Sequence, residues 1–472
     1  MKNILKRPTQ SQKERYDYLT KTPIPRLILT LAVPTIISML VTGIYNTADT
    51  FFVGRISTQA TAAVGLVFSV MAIIQAFGFF FGQGSGTFLS RMMGAGDLKS
   101  ANEMSATGFA WSLLTGVLIA VLGNVFAVPI SRALGATETT MHDTLVYMRI
   151  ILIGAPFMTG QFVLNNQLRY QGSAYYSMIG LMAGAVLNIA LDPILMFGFH
   201  MGVAGAAIAT ISGQMISFFV LFAGGMRGGN IRPRLRNVRM NWFYLRELVN
   251  GGIPSLFRQG LAAVATLLLN HAAGAAGGDA AIAGMSVVTR AIMLIVSALI
   301  GFGQGFQPVA SFNYGAGRKR RVREGYLFCV KYGTIFLSIG AVAGLVFAPQ
   351  IVAFFRDDPE VIAVGTMALR AQAIVLPLQP SIMLTNMLLQ SIGKGVRASI
   401  TSAAKSGIFF IPLILILPRL FGLFGVEITQ ACADLLSAML AIPMAAAELK
   451  RLQNDDLPEG TENKSEGKRQ HG

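Results

Sequence analysis

Long apolar stretches alternate with short polar ones along almost the whole chain. A helix needs about 20 mostly apolar residues to cross the hydrocarbon core of a bilayer, and runs of about that length recur from end to end. The predicted spans are 26–50, 60–90, 103–124, 143–168, 175–198, 203–225, 247–271, 281–312, 326–348, 361–390, 397–417 and 425–447. A transmembrane β-barrel would instead show shorter segments of alternating polarity. The pattern therefore predicts an all-α polytopic membrane protein with twelve transmembrane helices.

The two halves of the chain repeat each other. Five features recur at a separation of 220 or 221 residues: Pro34 and Pro254, GQG at 82–84 and 303–305, GAG at 94–96 and 315–317, Pro156 and Pro377, and GxxG at 202–205 and 422–425. Each half has an even number of spans, so both halves enter the membrane from the same side. This predicts two six-helix lobes related by a pseudo-twofold axis along the membrane normal, an architecture typical of transporters.

The repeat also divides the chain. We predict a cytoplasmic N-terminal segment at 1–25, an N-lobe at 26–225, a cytoplasmic linker at 226–246, a C-lobe at 247–447 and a disordered cytoplasmic tail at 448–472. No cleaved signal peptide is expected, because the first residues are polar and basic without a short apolar core. A monomer is expected.

Composition and charge agree with a membrane location. Of the 472 residues 53% are hydrophobic and 13% are charged, and the mean hydropathy is +0.58. Lys and Arg (38) outnumber Asp and Glu (22), and they cluster at 1–26, 227–239 and 318–323, in every second loop. Because Lys and Arg mark cytoplasmic loops, we expect both termini in the cytoplasm, a plasma (inner) membrane location and no nucleic-acid partner.

Polar residues at helical spacing interrupt several spans of the N-lobe. They are Thr42, Tyr45, Asn46 and Asp49 in the first span, Gln161 and Asn165 in the fourth, Asn188 and Asp192 in the fifth, and Thr210 and Gln214 in the sixth. Residues four apart share one helix face. A charged Asp at the centre of a bilayer costs about 2.5–3.5 kcal/mol on insertion scales, and intramembrane acids usually mark ion or proton pathways. Asp49 and Asp192 are therefore candidate coupling residues.

Two chemistries fit these residues. A carboxylate shielded from water takes up a proton readily. Alternatively, Asp192, Asn188 and Thr210 offer oxygen ligands to a hard cation such as Na⁺. Pro193 cannot donate a backbone hydrogen bond to Ile189, which frees a carbonyl in the same turn. The sequence does not separate H⁺ from Na⁺, and it predicts no other metal and no cofactor.

Other features point to no second chemistry. No paired carboxylates, Ser-His-Asp or Cys-His constellation argues for an enzyme, and FGQGSG lacks the GK[ST] of a phosphate loop, so close helix packing is the better interpretation. The two cysteines lie in apolar spans, which makes a disulfide or cysteine metal site unexpected. Five charged residues within spans receive no predicted role: Arg258, Arg290, Arg370, Glu427 and Asp434.

The chain resembles the multidrug and toxic compound extrusion (MATE) family over 20–450. The resemblance rests on LAVPTIISMLVTGIYNTADTFFVGR, GQGSGTFLSRMMGAG, LNIALDPILMFGFHMGVAGAAIAT and the repeat. It implies a twelve-helix antiporter that expels organic, often cationic, compounds in exchange for H⁺ or Na⁺. It places cation or proton coupling at Asp49, Asn188, Asp192 and Thr210, and it links Pro34 to bending of the first helix. Pro193 is a second candidate for helix bending, because it lacks a backbone donor.

The resemblance has one departure. The spans at 248–271 and 361–390 carry no acid, whereas NorM-type members have acids there, so the chain is more similar to the DinF-type branch. The substrate cavity is expected between the lobes, with Thr42, Tyr45, Asn46, Gln161 and Asn165 as candidate lining residues. Two alternatives stay open: a flippase for lipid-linked oligosaccharides from the same superfamily, and a non-transporting membrane scaffold.

Overall fold

The computed structural model describes residues 12–454, apart from the side chains of Asn46, Thr47, Thr50 and Asn454. The predicted segments 1–11 and 455–472 and the candidate side chain of Asn46 thus lie outside what is described. The N-lobe spans are α1 (Ile24–Gly54), α2 (Thr58–Gly94), α3 (Leu98–Val125), α4 (Glu138–Ile153 with Ala155–Tyr170), α5 (Ala174–Pro193, continued by a π-turn at Ile194–Gly198) and α6 (Gly202–Gly225).

The C-lobe begins with two helical arms within the 74 residues Trp242–Gly315, separated by non-helical backbone at Gly277 and Gly278. A straight helix of that length would measure about 111 Å, far more than a bilayer. The helix folds back at Gly277 and Gly278, the latter at φ +64°, and Leu269 and Met285 from its two arms pack in one apolar cluster. We treat the arms as two spans, α7 (242–276) and α8 (279–315).

The remaining spans complete the second lobe. They are α9 (Lys319–Val346), α10 (Pro359–Val375 with Gln379–Ser391), α11 (Gly395–Ala403 with Phe410–Phe421) and α12 (Leu423–Asn454). With α4 and α10 each counted as one bent span, and α7 and α8 as two, the described chain has twelve helices of membrane-spanning length. No strand occurs in residues 12–454. The predicted all-α fold is confirmed.

The repeat is visible in irregular features that hydropathy did not predict. Short helices stand at Ala127–Ala133 and Ala348–Phe355, and 348 − 127 = 221. The two parts of α4 meet at 49° around Gly154, and α10 is interrupted at the equivalent place by a 3₁₀ turn, Leu376–Leu378. Pro156 and Pro377 stand beside these breaks, where a missing backbone N–H weakens the helix.

Two asparagines tie neighbouring helices in the same way in each lobe. Asn165 Nδ2 donates to the backbone oxygen of Ser177 at 3.2 Å and to its Oγ at 2.6 Å. Asn386 Nδ2 donates to the backbone oxygen of Ala398 at 2.6 Å. Because 386 − 165 and 398 − 177 are both 221, the tie between the fourth and fifth helix of each lobe is part of the repeat.

Among the described residues, the closest contacts between the lobes are concentrated on one side. On the side of the chain termini, here called the terminal face, Leu19, Phe312 and Leu452 share one buried cluster. The close glycine-mediated approaches between the lobes in the described chain lie in this half; they involve Gly84, Gly94, Gly251, Gly252, Gly301, Gly305, Gly315 and Gly393. In the other half, a Cβ added to Gly43, Gly65 or Gly260 would meet no atom within 4 Å. From this distribution of close contacts we infer that a cleft opens away from the terminal face.

Candidate functional site

Asp192 and Asn188 form the centre of a buried polar site on α5. They are 0% and 3% exposed, and neither the two Asp192 carboxylate oxygens nor the two Asn188 amide atoms has a hydrogen-bond partner. The neighbouring helix α6 comes close because glycines face each other: a Cβ on Gly184 would lie 2.4 Å from the backbone oxygen of Gly213. This approach lets α6 carry the buried Thr210 into the same layer of the lobe.

Beyond Asp192 the helix changes its winding. α5 runs through Pro193 into a π-helical turn at Ile194–Gly198. A proline removes one backbone donor, and π-turns within helices frequently occur at functional sites. Pro34, by contrast, stands inside an unbroken α1. The bending roles predicted for the two prolines stay predictions.

Asp49 joins the site from α1. Its carboxyl group interacts electrostatically with that of Asp192, and one of its oxygens is buried without a hydrogen-bond partner. Tyr45, one turn earlier, interacts with both acids. Two neighbouring carboxylates repel each other when both are ionised, so a proton or cation between them removes that repulsion. The structure thus brings the four predicted coupling residues into one part of the N-lobe: Asp49, Asn188, Asp192 and Thr210.

Tyr147 on α4 is a member of the site that the sequence did not reveal. It is 0% exposed, interacts electrostatically with Asp49 and lies beside the Thr210 side chain, yet its hydroxyl makes no well-formed hydrogen bond. Thr144, three positions earlier on the same buried face of α4, is also polar, 0% exposed and without a hydrogen-bond partner. A tyrosine alone near a span end is usually an interfacial anchor.

The site is unusual because so many polar atoms lack partners. Buried polar groups are normally hydrogen-bonded, and leaving one unpaired costs about 1–3 kcal/mol, more for a charge. Two further N-lobe side chains, Gln161 and Gln214, also have a buried amide oxygen without a partner. A group of carboxylate, amide and hydroxyl oxygens can bind a hard cation, and a carboxyl group among them can instead hold a proton.

The other candidate cavity residues differ in their surroundings. Gln161 is 4% exposed, with an unpartnered oxygen, as expected for a residue that faces a ligand. Thr42 donates to the backbone oxygen of Ser38 at 2.8 Å within its own helix. The side-chain amide of Asn165 donates its hydrogen bonds to Ser177 on α5.

The C-lobe holds a closed ion pair at the equivalent place. Asp434 accepts hydrogen bonds from Gln379 (2.6 Å) and Gln430 (3.0 Å), and Lys405 Nζ lies 3.9 Å from its carboxylate. Subtracting 221 maps Lys405 and Asp434 onto 184 and 213, the two facing glycines of the N-lobe. Where the N-lobe packs two glycines closely together, the C-lobe has a buried acid paired with a lysine.

The remaining unassigned charges are also placed. Glu427 is only 6% exposed and sits in α12. Arg290 is exposed, and Arg370 is exposed with its Nε donating to the backbone oxygen of Leu345 at 3.3 Å. Arg258 lies on α7 and interacts electrostatically with Tyr170 of the other lobe.

The chain is similar in sequence to known multidrug export proteins. The Staphylococcus haemolyticus "Multidrug export protein MepA" is 28% identical over 444 residues, 94% of this chain and 98% of that protein. The Staphylococcus aureus (strain MRSA252) protein of that name is 29% identical over 453 residues, 95% of this chain and 99% of its own. Both alignments run nearly end to end.

Solved structures agree. An outward-facing multidrug resistance MATE family transporter of the MOP superfamily superposes with a TM-score of 0.86 at 26% identity, covering 94% of this chain and 99% of that one. A MOP superfamily transporter from Pyrococcus furiosus, described as having a binding pocket of reverse polarity, gives 0.87 at 26% identity and covers 95% and 100%. These matches confirm the two-lobed membrane fold.

The family model described as MatE matches 34–194 and 254–416, one match in each half of the chain. Together the two matches span more than half of the 472 residues. The family consists of transporters, not enzymes. With its two lobes and its N-lobe constellation of acids, the chain belongs to the MATE family of transporters.

Proposed function

We propose that the protein is a secondary active multidrug exporter that exchanges organic, often cationic, compounds for H⁺ or Na⁺. The curated relatives named above are multidrug export proteins. The observation that carries the coupling is the buried Asp192 carboxylate, both of whose oxygens lack a partner. A group that is costly in the empty site becomes favourable once an ion binds, so ion binding can be linked to the lobe's conformation.

The two lobes supply the alternating access. They pack tightly at the terminal face and separate on the other side. With both termini in the cytoplasm of a plasma-membrane protein, as the basic loops predict, this is a state open to the outside. In this proposal, a cation that enters from outside binds at Asp49, Asn188, Asp192 and Thr210, together with Tyr147, and favours release of the exported compound.

The compound would bind between the lobes. Thr42, Tyr45, Asn46, Gln161 and Asn165 stay our proposed lining residues on the N-lobe side. Placing coupling in the N-lobe fits a DinF-type member, and the Lys405–Asp434 pair supports that assignment because this buried C-lobe acid already has a lysine beside it.

Transport into proteoliposomes tests the proposal. Purified protein is reconstituted, a pH gradient and a Na⁺ gradient are imposed separately, and movement of the cationic dye ethidium is followed for wild type, Asp192→Asn and Glu427→Gln. We expect one gradient to drive transport, the Asp192 variant to lose it and the Glu427 variant, altered at a buried acid outside the site, to keep it. Equal transport by wild type and Asp192→Asn would refute coupling at this site.

A further inference from the structure

Three arginines from both lobes surround the Tyr170 hydroxyl. Arg91 lies on α2, Arg169 on α4 and Arg258 on α7, and all three guanidinium groups interact electrostatically with Tyr170. Tyr170 is 0% exposed, and its hydroxyl donates a hydrogen bond to Gln83. Arg91, Arg169 and Arg258 are here called the arginine cluster. Its members come from distant parts of the chain and meet at the lobe interface.

The cluster lies at the floor of the cleft. On α7, a Cβ at Gly252 would lie 2.5 Å from the backbone oxygen of Phe80 in the other lobe, whereas one at Gly260 would meet nothing within 4 Å. Arg258 stands between these positions, six residues or about 9 Å beyond Gly252. It is half-buried, and its Nη1 donates to Asn386 Oδ1 at 3.2 Å. Arg258 is therefore the member that a molecule in the cleft reaches first.

Positive charge in the cluster is not balanced by the protein. Among residues 12–454, the carboxylate that interacts with it is Glu247, which pairs with Arg91 at 3.3 Å. Three guanidinium groups and one carboxylate leave a net charge of +2. An uncompensated charge buried away from water is strongly unfavourable. An anion bound there would remove most of that penalty.

Arg169 also has free hydrogen-bond donors. Its side chain is 1% exposed, its Nη2 donates to Asn166, and its Nε and Nη1 have no partner. A guanidinium offers these donors in a planar fork that fits a carboxylate or a phosphate. Unpaired charged donors at a buried interface, next to a second arginine that faces the cleft, have the geometry and charge of an anion site.

We propose that the arginine cluster binds the acidic group of an amphipathic substrate, a carboxylate or a phosphate. The protein would then accept zwitterionic and anionic compounds as well as organic cations. The inference rests on the proposed function, because it takes the cleft as the substrate pathway. It is separate from the N-lobe cation site, since the cluster interacts with none of the acids there.

A matched pair of dyes tests this proposal. Rhodamine B carries a carboxylate, and its ethyl ester has the same cationic ring system without it. Binding of each to the full-length protein in detergent is measured by fluorescence anisotropy. We expect wild type to bind rhodamine B about tenfold more tightly than the ester, the effect of one charge-assisted hydrogen bond. Arg258→Gln should abolish the preference and leave the ester's Kd unchanged, and Arg258→Lys should keep part of it.

Arg290→Gln is the matched control, because Arg290 is an exposed arginine on α8 outside the cluster. It should keep the full preference. Equal binding of the two dyes by wild type, or an unchanged preference in Arg258→Gln, would overturn the proposal. If wild type binds the ester but not rhodamine B, the anion site is contradicted while the proposed export of cations stands. If neither dye binds, the anion site fails, and ethidium transport still decides the proposed function on its own.

A competition experiment separates two sources of the anion. Dioctanoyl phosphatidylglycerol or dioctanoylglycerol is added to the complex with rhodamine B. Displacement by the phospholipid alone supports the anion site and shows that a lipid phosphate also occupies it. No displacement by either lipid supports a site for free organic anions. Equal displacement by both lipids would show that the dye is held by apolar contacts, which contradicts the proposal.

Discussion

Gly94 and Gly315 stand 221 residues apart, at equivalent positions of the two lobes, and each packs against the backbone of the other's helix. A Cβ on Gly315 would lie 1.9 Å from the backbone oxygen of Arg91, and one on Gly94 would lie 2.0 Å from that of Phe312. Since 312 − 91 is also 221, this contact is its own pseudo-symmetric image. It closes the terminal face where α2 and α8 meet.

The first prediction concerns this contact. Gly315→Ala forces α2 and α8 apart, because the obstacle is backbone and cannot turn away. We expect a loss of about 1–3 kcal/mol in the stability of the closed terminal face and greater labelling of cysteines placed there. Thermal unfolding in detergent and cysteine accessibility measure the two effects.

Gly65→Ala is the control for that prediction. Gly65 lies in α2, and a Cβ there would meet nothing within 4 Å. Alanine should be neutral or stabilise the helix by about 0.5–1 kcal/mol. Similar labelling of both variants would contradict a closing role for the glycine pair.

The second prediction concerns Tyr147. Its buried hydroxyl makes no well-formed hydrogen bond, so Tyr147→Phe should leave the Tm unchanged or raise it. The concentration of coupling ion needed for half-maximal ethidium transport should rise, because the site loses an oxygen. Tyr326→Phe should behave in the opposite way, since the Tyr326 hydroxyl is hydrogen-bonded to Thr385 at 2.9 Å. We expect this variant to lose about 1 kcal/mol in the free energy of unfolding, to have a lower Tm and to keep its dependence on the coupling ion.

The third prediction separates packing from substrate contact at Asn165. If its amide acts as a tie, Asn165→Ala and Asn386→Ala should both lower the stability, by about 1–3 kcal/mol, because buried acceptors lose their donor. Asn386→Ala should cost more, since its amide also reaches Thr401 and Ser402. A changed KM for ethidium without any change in Tm would instead place Asn165 in the substrate cavity.

The fourth prediction concerns the C-lobe ion pair. Lys405→Met leaves the Asp434 carboxylate buried at 3% exposure without a cation, so we expect a loss of about 3–5 kcal/mol. Lys405→Met combined with Asp434→Leu should recover much of that loss. A double-mutant cycle from thermal melts measures the coupling, and a value near zero would contradict the pairing.

Hydropathy and the repeat predicted most of the fold. Span length follows from bilayer thickness, so twelve crossings and their order could be predicted from apolar runs alone. The ends could not, and α2 extends to Thr58–Gly94 because its last turns pack against α8 rather than lipid. The short helices at Ala127–Ala133 and Ala348–Phe355 were missed since they are too brief to leave a span-length signal.

The candidate site was predictable where polar residues recur on one helix face. Asp192 and Asn188 are four apart, and Asp49 is an acid in an apolar span. Tyr147 was missed because it lies near the end of a predicted span, where a tyrosine is usually an interfacial anchor. The arginine cluster was missed for a different reason: Arg169 ends a span, where a basic residue commonly snorkels, and its meeting with Arg258 depends on how two lobes dock.

The pairing of Lys405 with Asp434 also bears on the energetics of a transport cycle. Two lobes built from one repeat offer, in principle, two places for an exchangeable ion. In the C-lobe, the cation beside the buried acid Asp434 is the Lys405 side chain, which stays in the chain as the lobes move. If the N-lobe alone exchanges ions, the stoichiometry of the antiport, and with it the electrical work drawn from the membrane potential per cycle, is set by a single site.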